Sequence, residues 1–376
     1  MAGNTNLRAA NKAKKDEFYT QLVDIENELK HYKEHFKGKT VLCNCDDPRV
    51  SNFFHYFSYN FEKLGLKKLI TTCYKSQYSD LFSKNDSERA IWLEYNGDKN
   101  GNHIPDPEEI GINYLKGDGD FRSKECIELL KQADIVVTNP PFSLLREYIE
   151  QMISYDKKFL IIGNVNAISY KEIFSLIRDN KLWLGASIHS GDREFGVPND
   201  YPLNAAGCRQ DANGNKFIRV KGVRWFTNLD YKERHEDLIL YKAYNNEDYK
   251  HYENFDAINV DKTADIPLDY DGIMGVPITF MDKYNPDQFE IIGLGIASLG
   301  LECGVQPYKP EHRKYRKEIQ KRGVVDGDLY MMIDGVVTVP YARILIRRRQ
   351  QIPQKISEQN PLRLAAEPET TFNTNK

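Results

Sequence analysis

The sequence predicts an α/β protein: a doubly wound, mostly parallel sheet with a smaller C-terminal region. Short apolar runs recur over the first 230 residues, and most are followed by a segment of helical spacing. That alternation favours parallel strands joined by helices. Beyond Asp230 the rhythm gives way to Tyr-, Asn- and Asp-rich stretches such as "YNNEDYKHYENFDAINV". A chain of 376 residues has room for two domains. The expected division is 1–235, 236–350 and a disordered tail over 351–376.

The first dozen residues are polar and expected to fray. From Asp24 to Phe36, the residues Ile25, Leu29, Tyr32 and Phe36 recur three or four apart, which predicts a helix. "TVLCNC" is the first strand of the rhythm; it ends at Asp46-Asp47-Pro48, and "RVSNFFHYFSYNFEKL" follows with helical spacing. "LKKLITTC" is the second strand, and "NYLKGDGDF" the third with its exit loop. "DIVVTN" precedes the helical "LLREYIEQMISY", and "KFLIIGNV" precedes "SYKEIFSLIRD". "KLWLGASI" and "VRWFTNL" read as later strands, while the polar stretch Lys75 to Glu109 reads as a surface excursion.

Apolar residues at 40% and aromatics at 12% fill a sizeable core, which argues against wholesale disorder. The net charge of −3 says less than its distribution. Lys309 to Arg322 holds seven Lys or Arg against two Glu, and Arg343 with Arg347, Arg348 and Arg349 makes a second basic group. Both suit a polyanion, and both suit a solvated surface equally well. Six cysteines without a CxxC pair, no N-terminal apolar segment and no long apolar run predict reduced thiols in a cytoplasmic protein without a membrane partner.

Several chemistries lack their residues. There is no GxxxxGK[ST] phosphate loop, and neither "GDGDF" nor "GLGIASLG" completes GxGxxG between strand and helix. His31 and His35 stand four apart, but Tyr32 occupies the place where HExxH needs Glu, so no metal site is expected. No GxSxG elbow is present.

"DIVVTNPPFSLL" is the informative stretch. Its prolines stiffen Asn139-Pro140-Pro141 into an extended exit from a strand. Proline carbonyls accept hydrogen bonds without neighbouring N–H groups to compete, and the Asn139 side chain adds another acceptor. Two acceptors on one exocyclic NH2 group localise its lone pair on nitrogen and make it a better nucleophile. Phe142 adds a π-face for a ring. A strand terminator with a core phenylalanine accounts for the four letters equally well; the strand before and helix after favour the functional reading.

An alkyl donor should then lie near the first strand. S-adenosylmethionine needs carboxylates, small residues and an apolar slot but no phosphate cradle. Cys43 and Cys45 are small, and Asp46 is placed to meet such a cofactor. In the structural alternative Asp47 is an N-cap of the following helix, with Pro48 at what would be its first position, and it can hold beside the functional reading. Asp118 in "KGDGDF" is a candidate acceptor from the cofactor's amino group, with Phe121 beside the ring; a turn explains that loop as well.

The Asn139-Pro140-Pro141-Phe142 tetrad resembles the catalytic motif of adenine-N6 DNA methyltransferases. More narrowly, "KKDEFYTQLVDIENEL", "CNCDDPRVSNFF", "GDGDFRS", "DIVVTNPPFSLLREY", "KFLIIGNVNAI" and "DIPLDYDGIMGVPITF" resemble the EcoRI-type adenine methyltransferases. The likeness runs from about Lys14 to Asn228, resumes near Asp256 and returns at "PYARILIRRR".

The resemblance implies a Rossmann-like S-adenosylmethionine-dependent methyltransferase sheet with a smaller C-terminal DNA-recognition region. It implies that Asn139, Pro140, Pro141 and Phe142 form the catalytic loop. Phe18, Tyr19 and Thr20 match the N-terminal cofactor motif, Cys45, Asp46 and Asp47 the first-strand motif, and Asp118 with Phe121 the adenine end of the cofactor. Trp225 or Phe226 in "VRWFTNLD" would stack on the target base. Cys-Asn-Cys-Asp replaces the usual glycines of the first-strand motif, and Gln21 stands where proline is common. No acidic residue ends the second strand at Thr71 to Tyr74, so the ribose ligand stays unnamed.

The implied reaction is methyl transfer to N6 of a flipped adenine in double-stranded DNA, as the modification half of a restriction-modification system with a cognate endonuclease. Arg313, Lys314, Arg316, Lys317, Arg347 and Arg348 are the phosphate-contact candidates, and a monomer is expected. The alternatives are N-methylation of RNA or of a protein glutamine, or a DNA-binding relative without catalysis.

Overall fold

Apolar runs rich in β-branched residues become the centre of a large sheet. The computed structural model describes residues 18–45, 51–73, 90–102, 105–106, 109–197 and 207–349. In chain order the first strands are β1 (Tyr19–Thr20), β2 (Thr40–Cys43), β3 (Lys68–Thr72), β4 (Ile91–Tyr95), β5 (Ile110–Tyr114) and β6 (Ile135–Thr138). There follow β7 (Lys158–Asn164), β8 (Trp183–Leu184), β9 (Asp192–Val197), β10 (Cys208–Gln210), β11 (Lys216–Lys221) and β12 (Val223–Thr227). Eight of them form one sheet in the order β5-β4-β3-β2-β6-β7-β12-β8.

The strands β3, β2, β6 and β7 run parallel. At the margins β4 and β12 are antiparallel to their inner neighbours, and β5 and β8 pair antiparallel with them in turn. The sheet is therefore mixed, and the expected parallel order holds only at its centre. Along the central strands, alternate side chains serve two cores. Leu42, Val136 and Ile161 join an apolar cluster with Leu130, Ile149 and Phe174. Val41, Val137 and Leu160 face the opposite way, onto Ile25, Leu29, Phe53 and Phe57. Helices thus cover both faces, and strands buried on both sides read as continuous apolar runs.

Several expected elements differ in extent. The single helix predicted over 24–36 is two, Leu22–Leu29 and Lys33–Phe36. The polar excursion contains β4, and the third strand begins earlier than expected, at Ile110. The helix Lys124–Gln132, which the sequence reading passed over, has Ser123 accepting from the Cys126 N–H at its N-cap. β4 mixes half-buried with buried positions and β5 half-buried with exposed ones, so both carry a weaker apolar signal than the largely buried central strands. Among the described residues, no helix is long and apolar enough to cross a membrane.

Two further sheets flank the first. One has the order β1-β9-β11-β10 and carries the N-terminal segment alongside Phe195 and Gly196. The other, after residue 235, has the order β13-β14-β18-β15, with β13 at Ile258–Asn259, β14 at Met274–Pro277, β15 at Phe289–Leu294 and β18 at Arg343–Arg348. The strands β16 (Met331–Ile333) and β17 (Val336–Thr338) pair separately. Ile258, Met274, Phe289 and Ile344 belong to the same apolar cluster as Leu42 and Val136, so the core continues across position 235. The expected tail lies outside the described residues.

From β2 the chain proceeds to β3 on one side and later returns to β6 on the other. At such a reversal the connections leave in opposite directions. The carboxyl ends of β2 and β6 are therefore the expected place for a ligand.

Candidate active site

Thr138, the last residue of β6, donates its hydroxyl hydrogen to the Asn44 carbonyl at the exit of β2. Asn139-Pro140-Pro141 follows without regular structure, and Phe142–Leu144 forms a single 3-10 turn before the helix Leu145–Ser154. Asn139 is only 6% exposed. Its Nδ2 donates to the Phe18 carbonyl at 2.5 Å. A carbonyl can only accept, so this contact fixes which end of the amide is nitrogen. The other end, Oδ1, is buried and has no partner among the described residues. Leaving a buried acceptor unmade costs about 1–3 kcal/mol, which suits an oxygen that a ligand satisfies.

Beside the amide, three rings meet. Phe142 is half-buried, with its centroid 5.7 Å from that of Phe18 and 6.3 Å from that of Phe195. Phe18 and Phe195 are 5.8 Å apart. The catalytic-loop candidate is thus seated on residues far from it in sequence.

The exit of β2 lies against this loop. Asn44 is buried, and its side-chain oxygen accepts from the Tyr148 hydroxyl. Burial pushes the Tyr148 phenol well above its ordinary range, which keeps it a neutral donor. Cys45 follows at φ 80, a left-handed conformation uncommon for a residue with a side chain. Asp46 and Asp47 lie outside the described residues.

Thr20 is 2% exposed, and its hydroxyl has no partner among the described residues. Its carbonyl is held by Asn52 Nδ2 at 2.7 Å. Tyr19 is half-buried and pairs with Gly196 across β1 and β9.

Asp118 is exposed on the loop that leaves β5, and one of its oxygens accepts from the Asp120 N–H at 3.1 Å. The neighbouring Gly119 has φ +80, and a Cβ there would come within 2.1 Å of the Cys73 carbonyl. Only glycine lets this loop lie so close to the end of β3. Phe121 is buried, 5.0 Å from the Tyr148 ring, with the Arg122 guanidinium carbon 5.3 Å from its centroid. It therefore builds a wall rather than an open stacking face. The buried Thr20 hydroxyl and the exposed Asp118 carboxylate are groups suited to a small ligand rich in hydroxyl and amino groups.

Two groups of expected residues are not brought to the loop as open contacts. Trp225 and Phe226, the expected stacking residues, are 1% and 0% exposed in the middle of β12. Their strand is covered by neighbours on both sides and on both faces, and neither ring presents a face to an entering base.

The basic candidates are partly neutralised. Arg313 pairs with Asp326 at 2.5 Å, and Arg316 Nε donates to the Gly323 carbonyl at 2.8 Å. Lys314 and Lys317 project from the helix Pro310–Glu318 as exposed cations. On β18, Arg347 pairs with Glu290 at 2.9 Å and Arg348 is half-buried.

The sequence reading passed over Phe195, Asn44 and Tyr148. Phe195 gave only an alternating apolar signal in "REFGV", Tyr148 only an apolar helical position, and Asn44 only its place in the Cys-Asn-Cys-Asp run that replaces the motif's glycines.

The family model described as Adenine-specific methyltransferase EcoRI matches residues 6–349. The curated protein Type II methyltransferase M.EcoRI of Escherichia coli is 50% identical over 351 residues, 93% of this chain and 98% of its own length. Type II methyltransferase M.MpnI of Mycoplasma pneumoniae is 37% identical over 305 residues, 80% of this chain and 86% of its own. No solved structure matches the chain.

Proposed function

The chain belongs to the EcoRI-type adenine-specific methyltransferases, and from that premise we propose that it methylates N6 of an adenine flipped out of duplex DNA at one recognition sequence. The observation that carries the reading is the buried Oδ1 of Asn139, without a partner among the described residues, on an amide whose N–H is already committed. An adenine amino group is a donor that would satisfy it.

We read the large sheet as a Rossmann-like, doubly wound methyltransferase sheet. Thr20, Cys45 and Asp118 are the described groups that would hold S-adenosylmethionine, together with Asp46 and Asp47 and with Phe121 as wall. When bound, that cofactor supplies an electrophilic sulfonium methyl. Asn139 Oδ1 accepts one hydrogen of the amino group, and the Asn139-Pro140-Pro141 run offers further carbonyl acceptors without competing N–H groups. The nitrogen lone pair would become less delocalised into the ring and could attack the methyl carbon as the C–S bond breaks and its electron pair stays on sulfur; the cationic nitrogen would then lose its proton to water. Phe142 supplies a face for the extruded base, whose removal from the stack costs a few kcal/mol.

In the same reading, residues 236–350 contribute target recognition, and the exposed Lys314 and Lys317 contact phosphates, where charge fixes position rather than sequence. The protein would act in the cytoplasm as the modification half of a restriction-modification system, protecting sites from an endonuclease without touching it.

The test is to express the chain in a host lacking adenine methylation and map N6-methyladenine across the genome. The expected result is one enriched motif, with a GAATTC-like hexamer as the first candidate. An unmodified genome, with the purified chain labelling RNA or a protein glutamine instead, would overturn the reading.

A further inference from the structure

The N-terminal motif residue Phe18 does not have the surroundings of a cofactor contact. Its ring is 3% exposed and closed in by Phe142 and Phe195. Its carbonyl, not its side chain, receives Asn139 Nδ2. The backbone there is held from its C-terminal side, because Tyr19 and Thr20 pair with Gly196 and Phe195, and Asn52 Nδ2 binds the Thr20 carbonyl. One residue, 121 positions from Asn139, therefore touches the catalytic loop through both backbone and ring.

We propose that Phe18 is a positioning residue for the catalytic amide: its carbonyl holds the Asn139 N–H so that Oδ1 faces the target amino group, and its ring seats Phe142. The inference rests on the adenine reading above. A carboxamide rotated by half a turn would present N–H to an amino group, donor against donor, and could not draw on its hydrogens. The Phe18 carbonyl rejects that rotamer, because it would then face Oδ1, oxygen against oxygen. The work of Phe18 is thus to keep one of two nearly isosteric orientations, which affects reaction and not cofactor affinity.

The test uses the full chain with Phe18→Ala and Phe18→Leu, each alone and combined with Asn139→Asp. An aspartate retains an acceptor oxygen but has no N–H for the Phe18 carbonyl to hold. With Asn139 present, Phe18→Ala should lower turnover at saturating cofactor and DNA by about ten-fold or more, while the S-adenosylmethionine Kd stays within about three-fold. Phe18→Leu, which keeps an apolar side chain against Phe142, should recover most of that loss. In the Asn139→Asp background, Phe18→Ala should lower turnover by clearly less than it does with Asn139 present, the remainder reporting the Phe142 contact, since coupled residues do not contribute independently. If Phe18→Ala does not fold, Phe18→Val, which also withdraws most of the ring from Phe142, carries the same comparison.

A cofactor Kd that weakens ten-fold or so with turnover at saturation unchanged would make Phe18 a ligand contact and overturn the proposal. Losses that simply multiply between backgrounds would mark a merely structural role and overturn it as well. Failure of the adenine reading itself would appear in the unmutated enzyme, as absence of methylated adenine.

Discussion

At Asn139, one amide has a donor end and an acceptor end, and the chemistry depends on which end meets the substrate. The two prolines made this position legible, because a strand that needs only to turn has simpler endings. The orientation was not legible, since the carbonyl that sets it belongs to Phe18. Replacing the amide by a methyl group removes the acceptor and leaves the cofactor side untouched. Asn139→Ala is expected to keep S-adenosylmethionine affinity within about two-fold and to lower turnover by about 100-fold or more, as for loss of a preorganised catalytic hydrogen-bonding group. Steady-state turnover and equilibrium cofactor binding, measured side by side, check both halves; methylation near the unmutated rate would remove Asn139 from the mechanism.

Between elements, the exit of β2 is tied to the catalytic side of the sheet at Asn44. Its carbonyl accepts from Thr138, at the end of β6, and its side chain from Tyr148, on the helix that follows the loop. Both strands were readable as apolar runs, but this bond between their neighbours was not, because Tyr148 reads as one more apolar position. Tyr148→Phe keeps the ring and deletes the stronger donor, leaving the buried oxygen only the weak Cys45 thiol contact at 3.6 Å. It should cost about 1–3 kcal/mol, read as a lower denaturant midpoint with an unchanged slope. Stability equal to the unmutated protein would mean that the Cys45 thiol satisfies Asn44 by itself.

Over the whole molecule, the C-terminal sheet is fastened to the large sheet by charge as well as by apolar contact. Arg224 on β12 and Asp282 after β14 form a buried pair at 2.6 Å, with side chains 5% and 6% exposed. Burial raises the Asp282 carboxyl above its ordinary range, against the pull of the Arg224 guanidinium. Arg224→Leu would strand that carboxylate and should cost about 3–5 kcal/mol in an unfolding titration. Adding Asp282→Leu should recover much of the loss; a double variant no better than the single would locate the cost in packing instead.

A weaker tie joins the same parts at the surface. His235 bridges Asp287 at 2.6 Å and Asp230 at 2.9 Å. The Asp287 hydrogen bond chiefly raises its pKa above the ordinary value, with Asp230 helping and desolvation opposing. A raised histidine pKa contributes stability that is fully present below the unfolded-state value of about 6.5 and is lost as pH rises through the folded-state value. His235→Gln should therefore lower the melting temperature at about pH 5.5 and converge on the unmutated protein in alkali, with under about 1 kcal/mol at stake. A difference independent of pH would show that the imidazolium charge contributes nothing.

The sequence by itself determined the central strands, most of their covering helices but not Lys124–Gln132, the Asn139-Pro140-Pro141-Phe142 loop and the family likeness. These are local matters: periodicity, proline geometry and contiguous motifs need no knowledge of distant residues. Only the tertiary structure decided that the sheet is antiparallel at its margins, that Trp225 and Phe226 are buried, and that Phe18 meets Asn139 and not open space. Those depend on pairings between residues far apart in sequence, and no single segment carries the contact that settles them. The "DIVVTNPPFSLL" stretch announces that an amide matters, while its folded neighbours decide which way that amide points.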